Sequence, residues 1–542
     1  MRPFETAPAS SAARDACSRR QVVALATIVA AGFGLRLAYL AHAVRTRGFV
    51  WEDPDRYMRQ ALKLAGNGDG WHWTFDAVTY SINAQQHALP PMYSVFLSFF
   101  ALFPGFPLSA QVAQVVLGTI AILLVFELGR LMHSRAAGLV SAAAYALWVP
   151  SIFNVWSTSQ ETLYLPLILL AFVVLCRAML ARSLVSFGLA GLVFGVAALT
   201  RSMPMFFVLP AAALYVVIAT DRRRGAREAL TLIAGVLLVV VPYSAALSQY
   251  FGQLTIIDTH GSIHLQAEAG ARAPGLIETV AAIVREILVR PLGYAAGAFT
   301  LARSLLHVNG GRILQIYVVA PSELQAVLWK VVVHAGTDML LIVSTALAGV
   351  GAVLCRRPQI ASLFLLWAAV NVGVASLGGF GGARLRVPFE PLLMILAAVC
   401  LTGSWHRRGT AKLLAGAALG LLAAIAVLPQ VPRSLRAWPD YGVEWPSIFS
   451  RGAGTFEGRA GFSVPVGADR IGAFALASGE SASPVRIQVR VEGVLVRTVE
   501  IAPGETQSVR IIARRPGPEF VELETDESRS PPSPVRLVVP GR

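Results

Sequence analysis

Apolar and polar positions along this chain fall into long blocks rather than into the short alternations of a globular core. Apolar runs occupy residues 23–43, 111–129, 136–153, 163–180, 184–199, 203–219, 229–247, 339–353, 360–377, 389–402 and 413–427. A helix rises about 1.5 Å per residue, so roughly 20 such residues cross the ~30 Å hydrocarbon layer of a bilayer. The pattern predicts about eleven transmembrane helices. The run at 92–103 is the exception, because Pro104, Gly105 and Pro107 end it too early. It reads as a re-entrant or juxtamembrane helix.

Charge decides which ends of the spans share a side. With the run at 92–103 left out of the count, the basic segments 130–135, 177–182, 221–227, 355–357 and 405–408 all lie on the side of the N-terminus. Counted in, it would send them across the membrane, against the excess of Lys and Arg in cytoplasmic loops. The expected layout is a cytoplasmic tail at 1–22 and a transmembrane domain at 23–429. Its outer loops fall at 44–110, 154–162, 248–338 and 378–388. Beyond residue 430 the period changes. Val485, Ile487, Val489 and Val491 alternate with Arg486, Gln488, Arg490 and Glu492, the signature of a half-buried strand. Further strands are expected at 508–513, 519–523 and 534–539, so 430–542 is read as a periplasmic β-rich, sandwich-like domain. The expected fold class is a polytopic all-α membrane bundle carrying an extracytoplasmic β-domain.

Composition supports the membrane reading and removes others. The chain has 542 residues, 55% of them apolar and 14% charged, with a mean hydropathy of +0.61. The formal net charge of +15 would point to nucleic acid in a soluble protein. Here the excess sits in short loops between spans and reports topology, so no nucleic-acid partner is expected. Cys17, Cys176, Cys355 and Cys400 fall in or near cytoplasmic segments, where no disulfide is expected.

The unusual polar residues gather in the outer loops. Glu52, Asp53 and Asp55 follow the first span, and Asp53 with Tyr57 lies on one face of a predicted helix beside the membrane. Glu161 stands at the mouth of a span, where a carboxylate is costly without a polar partner or cavity. Arg201 sits in a very tight turn between two spans, and Arg384 and Arg386 head a later one. Outer arginines run against the topological bias and suit an anionic, phosphate-bearing ligand. His260 and His264 form an i,i+4 pair without a carboxylate motif, which is no metal signature; they join the candidate substrate contacts. There is no nucleotide-binding glycine loop.

Taken together, Asp53 with Tyr57, Pro90-Pro91-Met92-Tyr93, Gln111, the stretch 150–161 running into Ser159-Gln160-Glu161-Thr162-Leu163, Leu199-Thr200-Arg201 and the segment 386–391 resemble the GT-C superfamily of integral membrane glycosyltransferases. The resemblance is to the bacterial branch related to protein O-mannosyltransferases and lipid A aminoarabinose transferases. Such enzymes use a polyprenyl-phosphate-linked sugar and transfer it on the outer face of the cytoplasmic membrane. The resemblance implies catalytic roles for Asp53, Glu161 and, where relatives carry an acid one position earlier, Asp55. It implies donor-phosphate contacts from Arg201, Arg386 and Arg384, and substrate contacts from Tyr57, Tyr93 and Gln111. The acceptor would be a lipid, glycan or protein hydroxyl, and the location a bacterial inner membrane. A divalent metal ion could assist at the phosphate, although no ligand set demands one. A lipid-linked glycan flippase or an envelope glycan ligase or polymerase are the competing readings.

Overall fold

The computed structural model describes residues 11–47, 54–66, 70–82, 85–156, 159–257, most of 281–305, 327–377, 386–403, 416–417 and the strand segments within 454–538. The chain divides into two compact units, one holding the helices up to residue 432 and one that includes residues 433–542.

The first unit is a largely helical, multi-pass bundle. Among the described residues five helices are long and apolar enough to cross a membrane: the 19–45 portion of α1 (Ser11–Arg47), α5 (Leu108–Met132), α8 (Glu161–Ala181), α11 (Arg222–Phe251) and α14 (Pro358–Leu377). Shorter apolar helices accompany them: α4 (Met92–Ala101), α9 (Leu184–Thr200), α10 (Met203–Ile218), the 340–354 part of α13 (Val327–Leu354) and α15 (Glu390–Thr402). The expected span at 413–427 lies almost wholly outside the described residues.

Two departures from the apolar pattern have clear physical causes. The run at 136–153 is not one helix but α6 (Arg135–Ala146) and α7 (Val149–Phe153), separated at Leu147-Trp148. Pro150 in a continuous helix would clash with the carbonyl of Ala146; the break places it instead in the first turn of α7, where proline is tolerated. The segment 248–338, expected as an outer loop, also contains a helix, α12 (Pro291–Leu305), which packs on α14. The run at 92–103 gives α4, ten residues and so about 15 Å long, too short to cross. Its face of Tyr93, Ser94, Leu97 and Ser98 is buried, while Phe99 and Phe103, on and just beyond it, are 55% and 64% exposed.

Small residues set how closely the helices approach. A Cβ on Gly191 of α9 would lie 2.1 Å from the Leu232 carbonyl oxygen of α11, and one on Gly235 would lie 2.4 Å from the Gly188 carbonyl oxygen. Glycines let these backbones touch, the usual device where apolar burial alone cannot drive helices together in lipid. Helix ends are closed by their own sequence: Ser134, Ser183 and Asp221 cap α6, α9 and α11 by accepting from first-turn amides. Phe172, Phe194, Phe207, Phe364 and Trp367 form an aromatic centre shared by α8, α9, α10 and α14. Cys176, Cys355 and Cys400 are buried free thiols within the bundle.

The segment between α1 and α4 folds as a layer of its own. It comprises α2 (Pro54–Leu64), α3 (Phe75–Val78) and the antiparallel pair β1 (Thr79–Ile82) and β2 (Gln85–Ala88). Tyr57, Met58, Gln60, Ala61 and Leu64 bury one face of α2, which packs on α4. Gln60 donates to the Val78 carbonyl at 2.8 Å and accepts from Ser94 at 2.6 Å, tying α2 to both α3 and α4. Trp71 donates to Ser98 Oγ at 2.8 Å and stacks on Phe99.

The second unit contains two four-stranded antiparallel sheets, ordered β3-β10-β5-β8 and β4-β9-β6-β7. The strands are β3 (Gly454–Phe456), β4 (Arg459–Val466), β5 (Ile471–Ser478), β6 (Val485–Val491), β7 (Val494–Ile501), β8 (Thr506–Ile512), β9 (Gly517–Thr525) and β10 (Val535–Val538). Leu476 and Val509 of one sheet and Ile487, Val489, Val499 and Ile501 of the other are buried. The inward positions on β6 include Ile487 and Val489 of the alternation read in the sequence.

Candidate functional site

Glu161 is the first residue of α8, where the unpaired amides of a helix start favour a negative charge. Its side chain is 0% exposed. One carboxylate oxygen accepts from Arg201 Nη1 at 2.9 Å, and the other accepts from Ser159 Oγ. The two residues meet because α8 and α9 form an antiparallel hairpin: 21 residues lead away from Glu161, Arg182-Ser183 make the turn, and 17 residues return to Arg201. The Arg201 side chain is 12% exposed, and its guanidinium lies 5.9 Å from the centre of the Tyr164 ring. The carboxylate is fully buried and its partner side chain nearly so.

The turn that carries Glu161 is held in place by glutamines. Gln111 Nε2 donates to the Trp156 carbonyl at 2.8 Å, and Gln114 Nε2 donates to the Val155 carbonyl at 3.0 Å. Gln114 Oε1 accepts from Tyr93 Oη at 2.8 Å and from Thr162 Oγ1 at 2.7 Å. One glutamine of α5 thereby joins α4, the 154–160 turn and the start of α8. Tyr57 of α2 donates to Gln160 Oε1 at 2.7 Å and meets the Tyr93 ring edge-on at 5.2 Å. The first-loop helix is fastened to the residue next to Glu161.

A second buried ion pair stands at the head of α15. Arg386 and Glu390, 0% and 2% exposed, are in contact one helical turn apart, and Glu390 Oε2 accepts from Trp148 Nε1 at 3.0 Å. Trp148 lies in the break between α6 and α7. On the other side of that break Arg36 of α1, fully buried, donates to the carbonyls of Gly32, Tyr145 and Ala146 and to Ser151 Oγ. Tyr145 and Ala146 end α6, so Arg36 supplies the positive charge that the carboxyl end of a helix favours. The interruption that Pro150 forces is stabilised from both sides.

Of the residues singled out in the sequence, Tyr57, Glu161 and Arg201 come together, with Tyr93 and Gln111 in the network that supports them. The sequence reading gave Glu161 and Arg201 separate ligands, whereas their side chains bind each other. Arg386 is held by a different carboxylate, Glu390. Asp55 lies in the first turn of α2, its side chain undescribed. Asp53, Arg384, His260 and His264 lie outside the described residues; Asp53 is the residue bonded to Pro54, which opens α2. Among the described residues no group of three or more His, Cys, Asp or Glu side chains could hold a metal ion. Sequence reasoning missed Gln114, Trp148 and Arg36, and gave no individual role to Ser159, Gln160 and Glu390, which lie in stretches it singled out. Only Glu390 carried a local signal, its i,i+4 spacing from Arg386.

Residues 88–248 match the family model of dolichyl-phosphate-mannose-protein mannosyltransferases. The matched segment includes Tyr93, Gln111, Gln114, Glu161 and Arg201 and stops short of α2 and Arg386. No curated protein matches the chain in sequence. Solved structures similar to it include the Archaeoglobus fulgidus oligosaccharyltransferase in complex with zinc and sulfate, 17% identical over 75% of this chain and 51% of that one, with a TM-score of 0.43. The same organism's oligosaccharyltransferase AglB with an inhibitory peptide and a dolichol-phosphate is 17% identical over 78% and 56%, TM-score 0.40. ArnT from Cupriavidus metallidurans bound to undecaprenyl phosphate is 15% identical over 77% and 64%, TM-score 0.40. The chain spans about half the length of the archaeal enzymes.

Proposed function

We propose that this protein is a GT-C-type membrane glycosyltransferase that moves a sugar from a polyprenyl-phosphate carrier to the hydroxyl of a lipid, glycan or protein. The observation that carries the reading is the Glu161–Arg201 pair with the Tyr57–Gln160 bond beside it. It fastens α2, whose first residue follows Asp53, to the residue next to Glu161, and so beside the Glu161–Arg201 pair within the segment that matches the mannosyltransferase model.

The chemistry asks for two things. A hydroxyl is a weak nucleophile and gains from a carboxylate that accepts its proton as the new bond forms. A phosphate leaving group needs cations to receive its charge rather than an acid to protonate it. In this reading Asp53 is the general base. The acceptor oxygen attacks the anomeric carbon on the face opposite the phosphate, the carbon–oxygen bond to the phosphate breaks, and the hydroxyl proton passes to Asp53. The sugar is inverted and the polyprenyl phosphate departs with the electron pair. Arg201 receives the phosphate, and Glu161, buried and saturated, aims Arg201 instead of touching the acceptor. Arg386, aimed in the same manner by Glu390 and Trp148, is the second phosphate contact, with Arg384 beside it in sequence. Asp55, His260 and His264 are assigned to the acceptor side, the outer face of a bacterial inner membrane is the location, and the two sheets of the second unit form a sandwich there.

The test is transfer from a lipid-linked sugar by purified protein, followed by mass spectrometry of donor and product. Asp53→Asn should abolish transfer and leave donor binding intact; turnover near that of the unsubstituted protein would remove Asp53 from the mechanism.

A further inference from the structure

The opposite end of the α8–α9 hairpin carries a second concentration of charge. α8 is 21 residues long, so its far end lies about 30 Å from Glu161. There Arg182, in the left-handed conformation at φ 54°, closes α8 and lines two adjoining cavities of ≈ 290 and ≈ 540 Å³. Arg357 lines the first, and Arg223, Arg224 and Arg227 line the second. These five guanidinium groups are set against two carboxylates, and both carboxylates are already engaged. Glu228, fully buried, pairs with Arg182 and Arg224 at 3.2 Å each and accepts from Tyr215 Oη at 2.6 Å. Asp221 Oδ1 caps α11 by accepting from the amides of Arg223 and Arg224.

Among the described residues the remaining charge has no counter-ion. Among the described residues Arg223, Arg227 and Arg357 have no carboxylate partner, and Arg357 Nη1 is buried with no hydrogen-bond partner at all. A buried donor left unsatisfied is costly, more so when it is charged, and such a group points to an acceptor that binds there. Guanidinium clusters of this kind match the oxygens of a phosphate, which they can hold through paired hydrogen bonds. The flanks decide the rest. Leu184, which lines the second cavity, is 47% exposed, Leu180, which lines the first, is 43% exposed, and the first is lined further by Met179, Ile218 and Ile360, an apolar rim suited to acyl chains.

We propose that this end of the bundle is a binding site for the phosphate headgroup of an anionic membrane lipid, with Arg357, Arg223 and Arg227 as its contacts. The site is separate from the transfer chemistry and stands whether or not the chain is a transferase.

The experiment is native mass spectrometry of the full-length protein released from nanodiscs of phosphatidylglycerol mixed with phosphatidylcholine. The protein should retain phosphatidylglycerol selectively. Arg357→Gln, and separately Arg223→Gln with Arg227→Gln, should weaken retention about tenfold for each guanidinium removed. Arg177→Gln, near the same end of α8, 62% exposed and already paired with Glu127, should change it less than twofold. Competition by inorganic phosphate alone would keep the phosphate site and assign its source to free anion. Equal retention of the two lipids with no effect of phosphate, or an equal loss in Arg177→Gln, would overturn the proposal. The Arg223 and Arg227 variants keep it open to refutation should Arg357→Gln fail to fold.

Discussion

Replacing Arg201 with alanine tests whether Glu161 and Arg201 act as one unit. The substitution removes a 2.9 Å ion pair from a carboxylate that is itself 0% exposed. Glu161 would keep Ser159 as a donor but lose its counter-charge, and a buried ion stripped in this way costs about 3–5 kcal/mol. At ~1.4 kcal/mol per factor of ten, the folded fraction of Arg201→Ala falls by at least about two orders of magnitude relative to the unfolded state. Adding Glu161→Gln should return most of that loss, because a neutral amide can still bond Ser159 and needs no cation. Donor binding should stay lost in the double variant, since the guanidinium is still missing. Reversible unfolding in mixed detergent micelles measures the first quantity, and titration with polyprenyl-phosphate sugar the second. If Arg201→Ala unfolds with the stability of the parent, or the double variant is no more stable than the single one, the buried pair is not what holds this turn.

Three further outcomes follow from particular side chains. Gly191→Val should prevent stable assembly, seen as loss of monodisperse protein on size exclusion, because its Cβ would sit 2.1 Å from the Leu232 carbonyl oxygen; Gly188→Ala, whose Cβ would meet Thr231 Cγ2 at 3.5 Å, should assemble normally. Tyr57→Phe deletes the 2.7 Å bond to Gln160 and should cost about 1 kcal/mol of stability, with a larger proportional loss of transfer than of folding. Trp148→Phe leaves Glu390 with one donor fewer; it should destabilise by about 1–3 kcal/mol and weaken donor binding, and an unchanged donor affinity would separate Arg386 from the phosphate.

The spans were legible because lipid imposes a single requirement, a sufficient apolar length, and α1, α5, α8, α11 and α14 satisfy it in sequence as plainly as in space. The brevity of α4 was legible for the same reason. The interruption between α6 and α7 was not, since the residues there are as apolar as a crossing and only the geometry of Pro150 ends the helix. Arg36 was hidden inside an apolar run, and its role depends on carbonyls 109 and 110 residues away. Glu161 and Arg201 each stood out as costly charges beside lipid. That they neutralise each other depends on two helices of nearly matched length joined by a two-residue turn, a relation across 40 residues. Gln111 stood out in the sequence only through the family resemblance, and Gln114 gave no signal, because a glutamine that bonds buried backbone and one that faces water look alike in sequence.

The two faces of α4 differ in burial. Tyr93 on one side enters the hydrogen-bond network of Gln114, whereas Phe99, and Phe103 just past the helix end, look outward from the molecule. A single ten-residue rod therefore carries a buried hydrogen-bond network on one side and exposed aromatic rings on the other. Whatever packs against Phe99 and Phe103 bears, through one short helix, on the bond that holds Gln114 beside Thr162 and the start of α8.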